Sequence, residues 1–163
     1  MERTSQFVLR DATADDLDAT VALINRAFAV ERFFKSGDRI NHEQVRQMMR
    51  DGKFLLLYDN AELVACMFVK VTGKRGYLGT LSVDPARQRS GLGAHMMREA
   101  EAYFRAAGCS LVDIRIVDVR PELREIYSKF GFVETGTESA EVIRTATRPV
   151  RFITMSKQLR GDS

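Results

Sequence analysis

The 163-residue chain has no tryptophan, two cysteines, two histidines and three prolines, and each scarcity excludes something. So few cysteines and histidines, without CxxC or Cys/His spacing, make neither a zinc framework nor a disulfide-stapled scaffold, and no metal site is expected. Cys66 and Cys109 each lie in apolar, strand-like surroundings and read as reduced core thiols. No apolar run approaches the roughly 20 residues that cross a bilayer, so no membrane partner is expected. The start, MERTSQFVLRDATADD, is acidic where a secretory signal would be apolar, which makes a cytoplasmic protein the expectation. A net charge of +3, with basic residues scattered and no aromatic interleaving, argues against a nucleic-acid partner.

What is present is an ordinary globular composition. Hydrophobic residues at 45% are too many for a disordered chain, and the length suits one domain spanning residues 1–163. Leu17, Val21, Ile24 and Phe28 form one stripe of a helix over 15–29. Asn41 with Gln44 reads as a capping box opening a second helix that Gly52 closes. Strands are predicted over 54–58, 62–71 and 77–83, joined by turns at Asp59-Asn60 and at 73–76, which makes an antiparallel meander. A helix over 91–107 presents Leu92, Met96, Ala100 and Tyr103 and ends at Gly108. A strand over 110–117, a helix over 121–130 stopped by Gly131, a strand starting at Phe132 and a closing strand over 151–156 complete a mixed α/β sheet. The polar segment 136–149 reads as a loop between the last two strands.

The stretch LSVDPARQRSGLGAHMM, from Leu81, carries the chemistry. A helix N-terminus offers unpaired N–H groups and a partial positive charge, so a loop with glycines at 91 and 93 and arginines at 87 and 89 suits an anion. A Walker phosphate loop needs Gly-Lys followed by Ser or Thr, and here Gly52-Lys53 precedes Phe54 and Gly73-Lys74 precedes Arg75. A dinucleotide fingerprint fits poorly, because GLGAHM places Met96 at its third position and Asp113 lies inside a strand.

Gln88, Gly91, Gly93 and Ala94, following a V-x-P turn at Val83 and Pro85, make a Q-x-x-G-x-G-A pattern that resembles the acetyl-coenzyme A signature of the GNAT superfamily of N-acetyltransferases. Tyr127 to Phe132, YSKFGF, resembles the family's second motif, Y-x-x-x-G-F, in the expected order. A short first strand and the closing F-x-x-M-S-K-Q-L strand are similar too. The resemblance implies a GNAT-like fold with a splayed central sheet. It implies acetyl-coenzyme A as co-substrate, with an acetyl group passing directly to the primary amine of a small-molecule or protein acceptor.

Carried over residue by residue, Leu81 and Val83 would pair with the pantetheine arm. Gln88, Arg89, Ser90, Gly91, Leu92, Gly93 and Ala94 would cradle the pyrophosphate, and Tyr127 would be the general acid beside the sulfur. Two positions depart from the family pattern. Arg120-Pro121 stands where many members carry an asparagine, and YLGTLSV lacks the base glutamate many carry. Glu31 and His42 are therefore candidates for the base, and Phe33 and Phe34 for an apolar acceptor wall. The missing residues also motivate an alternative, a non-catalytic coenzyme A binding or sensing module. A homodimer is compatible with the sequence but not derivable from it.

Overall fold

The computed structural model describes residues 6–139, 143 and 145–159. Seven strands form one sheet in the order β1-β2-β3-β4-β5-β7-β6. β1 (Phe7–Asp11), β2 (Lys53–Asp59), β3 (Glu62–Thr72) and β4 (Arg75–Val83) pair antiparallel with one another in turn; β5 (Leu111–Val117) is parallel to β4; β7 (Arg151–Gln158) is antiparallel to both β5 and β6 (Val133–Ser139). The fold is thus an open mixed α/β sheet. Its helices are α1 (Leu17–Ala27), α2 (His42–Asp51), α3 (Leu92–Ala106) and α4 (Pro121–Lys129). Among the described residues no helix is long and apolar enough to cross a membrane.

β2 and β3 read as continuous apolar runs because both faces of the sheet are covered. Leu55, Leu57, Met67 and Val69 pack with Met96, Ala100 and Phe104 of α3, while Phe54, Leu56, Cys66 and Phe68 pack with Val21, Leu23 and Ile24 of α1 and Val45 of α2. The capping box of α2 is formed: Gln44 N donates to Asn41 Oδ1 at 2.8 Å, and Asn41 N donates to Gln44 Oε1 at 2.9 Å.

Three boundaries differ from the sequence reading. The segment 14–16 is a short 3-10 turn, so α1 itself begins at Leu17. β4 begins at Arg75 rather than Tyr77, because Gly76 is not a turn residue but the point where the sheet meets Phe104. A Cβ on Gly76 would lie 2.4 Å from the Phe104 ring. The expected loop over 136–149 starts later, since 136–139 continue β6, and residues 140–142 and 144 fall outside the described residues. Parallel pairing is confined to one β-α-β unit, β4-α3-β5. After α4 the chain passes to the sheet edge as β6, and β7 returns between β5 and β6.

One irregularity positions the site. β4 and β5 pair only at Arg75–Leu111, Gly76–Val112 and Tyr77–Asp113, although the strands run on to Val83 and Val117. Beyond Tyr77 they part, leaving backbone N–H and C=O groups on facing edges without ladder partners across the gap.

Candidate active site

The gap between β4 and β5 opens into a cavity of about 310 Å³, lined by Leu78 to Leu81 and Val83 on one side and by Ile114 to Val117 on the other. β4 is bulged there. Cys66 pairs with Ser82 and Phe68 with Gly79, so Thr80 and Leu81 together oppose Met67. Thr80 takes φ +52, an unusual conformation for a β-branched residue, and its carbonyl accepts from Ser82 Oγ at 3.0 Å.

β4 leads into the anion loop. Asp84 Oδ1 accepts from Ala86 N at 3.0 Å and starts a 3-10 turn, Pro85–Arg87. Arg87 then donates to Asp59 Oδ2 at 2.7 Å and to Glu62 Oε2 at 2.6 Å, which ties the loop to the β2–β3 hairpin. Arg87 thus lines the cavity with its charge shared between two carboxylates. Arg89, exposed at φ +67, makes no ion pair among the described residues. Gly91 caps α3 at φ +84, and the first intrahelical bond is His95 N to Gly91 O at 3.0 Å. The N–H groups of Leu92, Gly93 and Ala94 precede that bond and have no helical partner. A Cβ on Gly93 would meet nothing within 4 Å, so the helix end is open to a ligand.

Of the residues singled out in the sequence, Leu81, Val83, Gln88, Arg89, Leu92, Gly93 and Tyr127 line the cavity. Ser90, Gly91 and Ala94 do not. Ser90 Oγ instead donates to the Arg87 carbonyl and Gly91 sets the turn.

Tyr127 stands edge-on to Phe132, with ring centroids 5.8 Å apart. Its hydroxyl has no hydrogen-bond partner among the described residues. Burial pushes the phenol up to about 12, against an opposing pull from the Arg120 charge.

The two base candidates separate. His42 is on the surface, with Nε2 2.8 Å from Asp18 Oδ1, away from the cavity lining. Glu31 lines the cavity and is only 2% exposed. Its Oε2 accepts from Arg120 Nη1 at 3.0 Å; Oε1 has no hydrogen-bond donor among the described residues, with Arg39 Nη1 at 3.7 Å. Arg120, at the position of the family asparagine, is thus engaged by a carboxylate from the α1–α2 connection. Phe34 is fully buried with Val117 and Phe152, and Phe33 is exposed; neither lines the cavity.

Sequence reasoning missed the Thr80 bulge, the β5 wall, Phe28 and Arg39. A β-branched residue at positive φ has no sequence signal, and the β5 wall exists only because two strands diverge.

The chain matches the acetyltransferase (GNAT) domain over residues 13–159. It belongs to the GNAT acetyltransferase family. Among GNAT relatives, a probable glucosamine 6-phosphate N-acetyltransferase of Oryza sativa subsp. japonica is 40% identical over 73 residues, 45% of this chain and 42% of that protein. The chain spans less than half the length of the curated relatives it matches. Two solved structures share the GNAT fold. The ribosomal-protein-S18-alanine N-acetyltransferase of Escherichia coli has TM-score 0.79 at 16% identity, over 97% of both chains. A GNAT family acetyltransferase of Elizabethkingia anophelis with acetyl-CoA bound has TM-score 0.73 at 14% identity, over 94% of this chain and 98% of that one.

Proposed function

We propose that this chain is an N-acetyltransferase that uses acetyl-coenzyme A to acetylate a primary amine in a ternary complex, without an acyl-enzyme. The observation that carries the reading is the cleft between β4 and β5. It runs from the unpaired N-terminus of α3 to the unpartnered hydroxyl of Tyr127.

The residues present fit acetyl-coenzyme A. Gly93 leaves room for a phosphate against the backbone, and the unpaired edge of β4 suits an amide-bearing arm laid along it as an added strand. The bound thioester supplies an activated acetyl group. The N–H groups of Gln88 to Ala94, with Arg89, hold the pyrophosphate, and Leu81 and Val83 hold the pantetheine arm. The bulge at Thr80 frees backbone groups where an oxyanion would need a donor. Tyr127, kept protonated by burial, serves as proton donor. Cys66 and Cys109 are buried in the core, and burial pushes both thiols up, so neither is poised as an acyl carrier.

Calorimetric titration with acetyl-coenzyme A, beside ATP and NAD, tests the cofactor. A thiol-release assay over an amine panel that includes glucosamine 6-phosphate tests the reaction. Micromolar binding of acetyl-coenzyme A alone, with turnover of at least one amine, is expected. Binding without turnover of any amine would favour the coenzyme A sensing module, and no binding would end the acetyltransferase reading.

A further inference from the structure

The end of the cavity away from the anion loop carries more positive charge than a neutral acceptor needs. Among the described residues, Arg39, Arg115 and Arg120 line it, together with one carboxylate, Glu31. Lys35, 3% exposed, lies close enough for Glu31, Asp38 and Arg39 to act on its charge. The acidic partners of Arg120 and Arg115 outside the cavity lining, Glu122 and Glu138, have side chains 53% exposed on the rim. Among the described residues that line this end of the cavity, the balance of charge is therefore cationic.

Two of these arginines lie over aromatic rings, and among the described residues neither donates a hydrogen bond. Arg39 stacks on the Phe28 ring at 4.8 Å, and its nearest carboxylate oxygen, at 3.7 Å, is beyond hydrogen-bond reach. Arg115 stacks on Phe152 at 4.5 Å, with its nearest carboxylate oxygen at 3.8 Å. A guanidinium packed on an aromatic face keeps N–H donors available at its edges, and those donors suit a carboxylate or phosphate. Glu31 serves as the internal anchor of the group, through Arg120. An ammonium placed against its free oxygen would meet Arg39, Arg120 and Lys35 for a single carboxylate, so it is the poorer occupant.

We propose that this end of the cavity is an anion subsite, and that the acceptor is an amine that also carries a carboxylate or phosphate, held by Arg39 and Arg115. The inference rests on the acetyltransferase reading and narrows its substrate class. It also bears on the missing base glutamate: a cationic surrounding disfavours an ammonium, so the acceptor's amine sheds its proton more readily there.

The test uses NMR of the intact protein, following the arginine side-chain Nε–H signals and the backbone amides of Gly91 and Gly93. Coenzyme A is added to saturation first, so that the pyrophosphate site is occupied. Inorganic phosphate and, separately, sodium acetate are then titrated against sodium chloride at equal ionic strength. The expected result is a saturable millimolar shift at Arg39 and Arg115 with phosphate or acetate and none with chloride; whichever anion binds more tightly identifies the acceptor's anionic group. Arg39→Gln and Arg115→Gln should each weaken that binding about tenfold, or about 1.4 kcal/mol, while coenzyme A affinity is unchanged. No arginine shift, a shift matched by chloride, or undiminished binding in both variants overturns the anion subsite. Silence of Gly91 and Gly93 when coenzyme A is added would instead overturn the acetyltransferase reading, and this inference with it.

Discussion

Tyr127 concentrates the chemistry of the proposed reaction in one hydroxyl. Its phenol is pushed up to about 12 by burial, so it remains a proton donor across the range in which an amine acceptor titrates. Tyr127→Phe should lower kcat by roughly 10²- to 10⁴-fold, the usual worth of a positioned acid, and leave acetyl-coenzyme A affinity nearly unchanged. Steady-state kinetics beside calorimetry checks both halves, and an unchanged kcat would remove Tyr127 from the mechanism. Because the raised value keeps the hydroxyl protonated, wild-type kcat should show no alkaline loss from this group between about pH 8 and pH 10. The residue was legible from YSKFGF, but its raised phenol was not, because that depends on burial by the fold and on Arg120 and Tyr77 beside it.

At the scale of elements, two contacts fix how the helices seat on the sheet. Gly76 admits the Phe104 ring against β4, with only 2.4 Å available to a Cβ. Gly76→Ala should therefore destabilise the protein by about 1–3 kcal/mol, as overpacking of a tight core does, measured as a fall in the urea midpoint at constant m. The second contact is at the start of α1. Arg10 grips Asp16 with Nη1 to Oδ2 at 2.8 Å and Nη2 to Oδ1 at 2.7 Å, and Thr13 N donates to the same carboxylate at 2.8 Å. The Arg10 hydrogen bonds hold that carboxyl well below its ordinary value. A depressed folded-state value gives stability that is present above the unfolded carboxylate range and is lost as pH falls through the folded value. Thermal melts should accordingly show Asp16→Asn several degrees below wild type at neutral pH, with the gap closing in strong acid. A constant gap would mean the ionised carboxylate contributes nothing.

Element existence was largely readable in advance, for local reasons. Asn41 with Gln44, Gly108 and Gly131 are punctuation that acts within one turn, and the two-faced apolar runs of β2 and β3 announce strands covered on both sides. What escaped was set by distant partners. Lys74-Arg75-Gly76 looked like a turn because the ring that makes Gly76 necessary belongs to α3. The burial of Glu31 against Arg120 could not be read locally, because that partner is 89 positions away. The bulge at Thr80 has no local signature at all.

The whole molecule is organised by the parting of β4 and β5. Amides of β4 beyond Tyr77 that do not bond to β3 should exchange with deuterium faster than those of β2 and β3. On addition of acetyl-coenzyme A the cleft-facing ones should become protected. Hydrogen exchange read by NMR with and without the ligand checks this, and equal protection in both states would argue against an arm laid along β4. The same parting explains why the two sequence motifs look independent: the loop and Tyr127 belong to α3 and α4, and only the cleft puts them on one cavity.

The position of β7 has a consequence for biosynthesis. It is made after β6 yet lies between β5 and β6, pairing with both. A chain still emerging from the ribosome can zip β1 to β4 as they appear, but β5 then keeps an open edge and β6 lacks its partner until β7 has emerged. The wall that carries Arg115 and Phe152 is thus completed last, and the cavity is assembled after translation of its other parts rather than along with them.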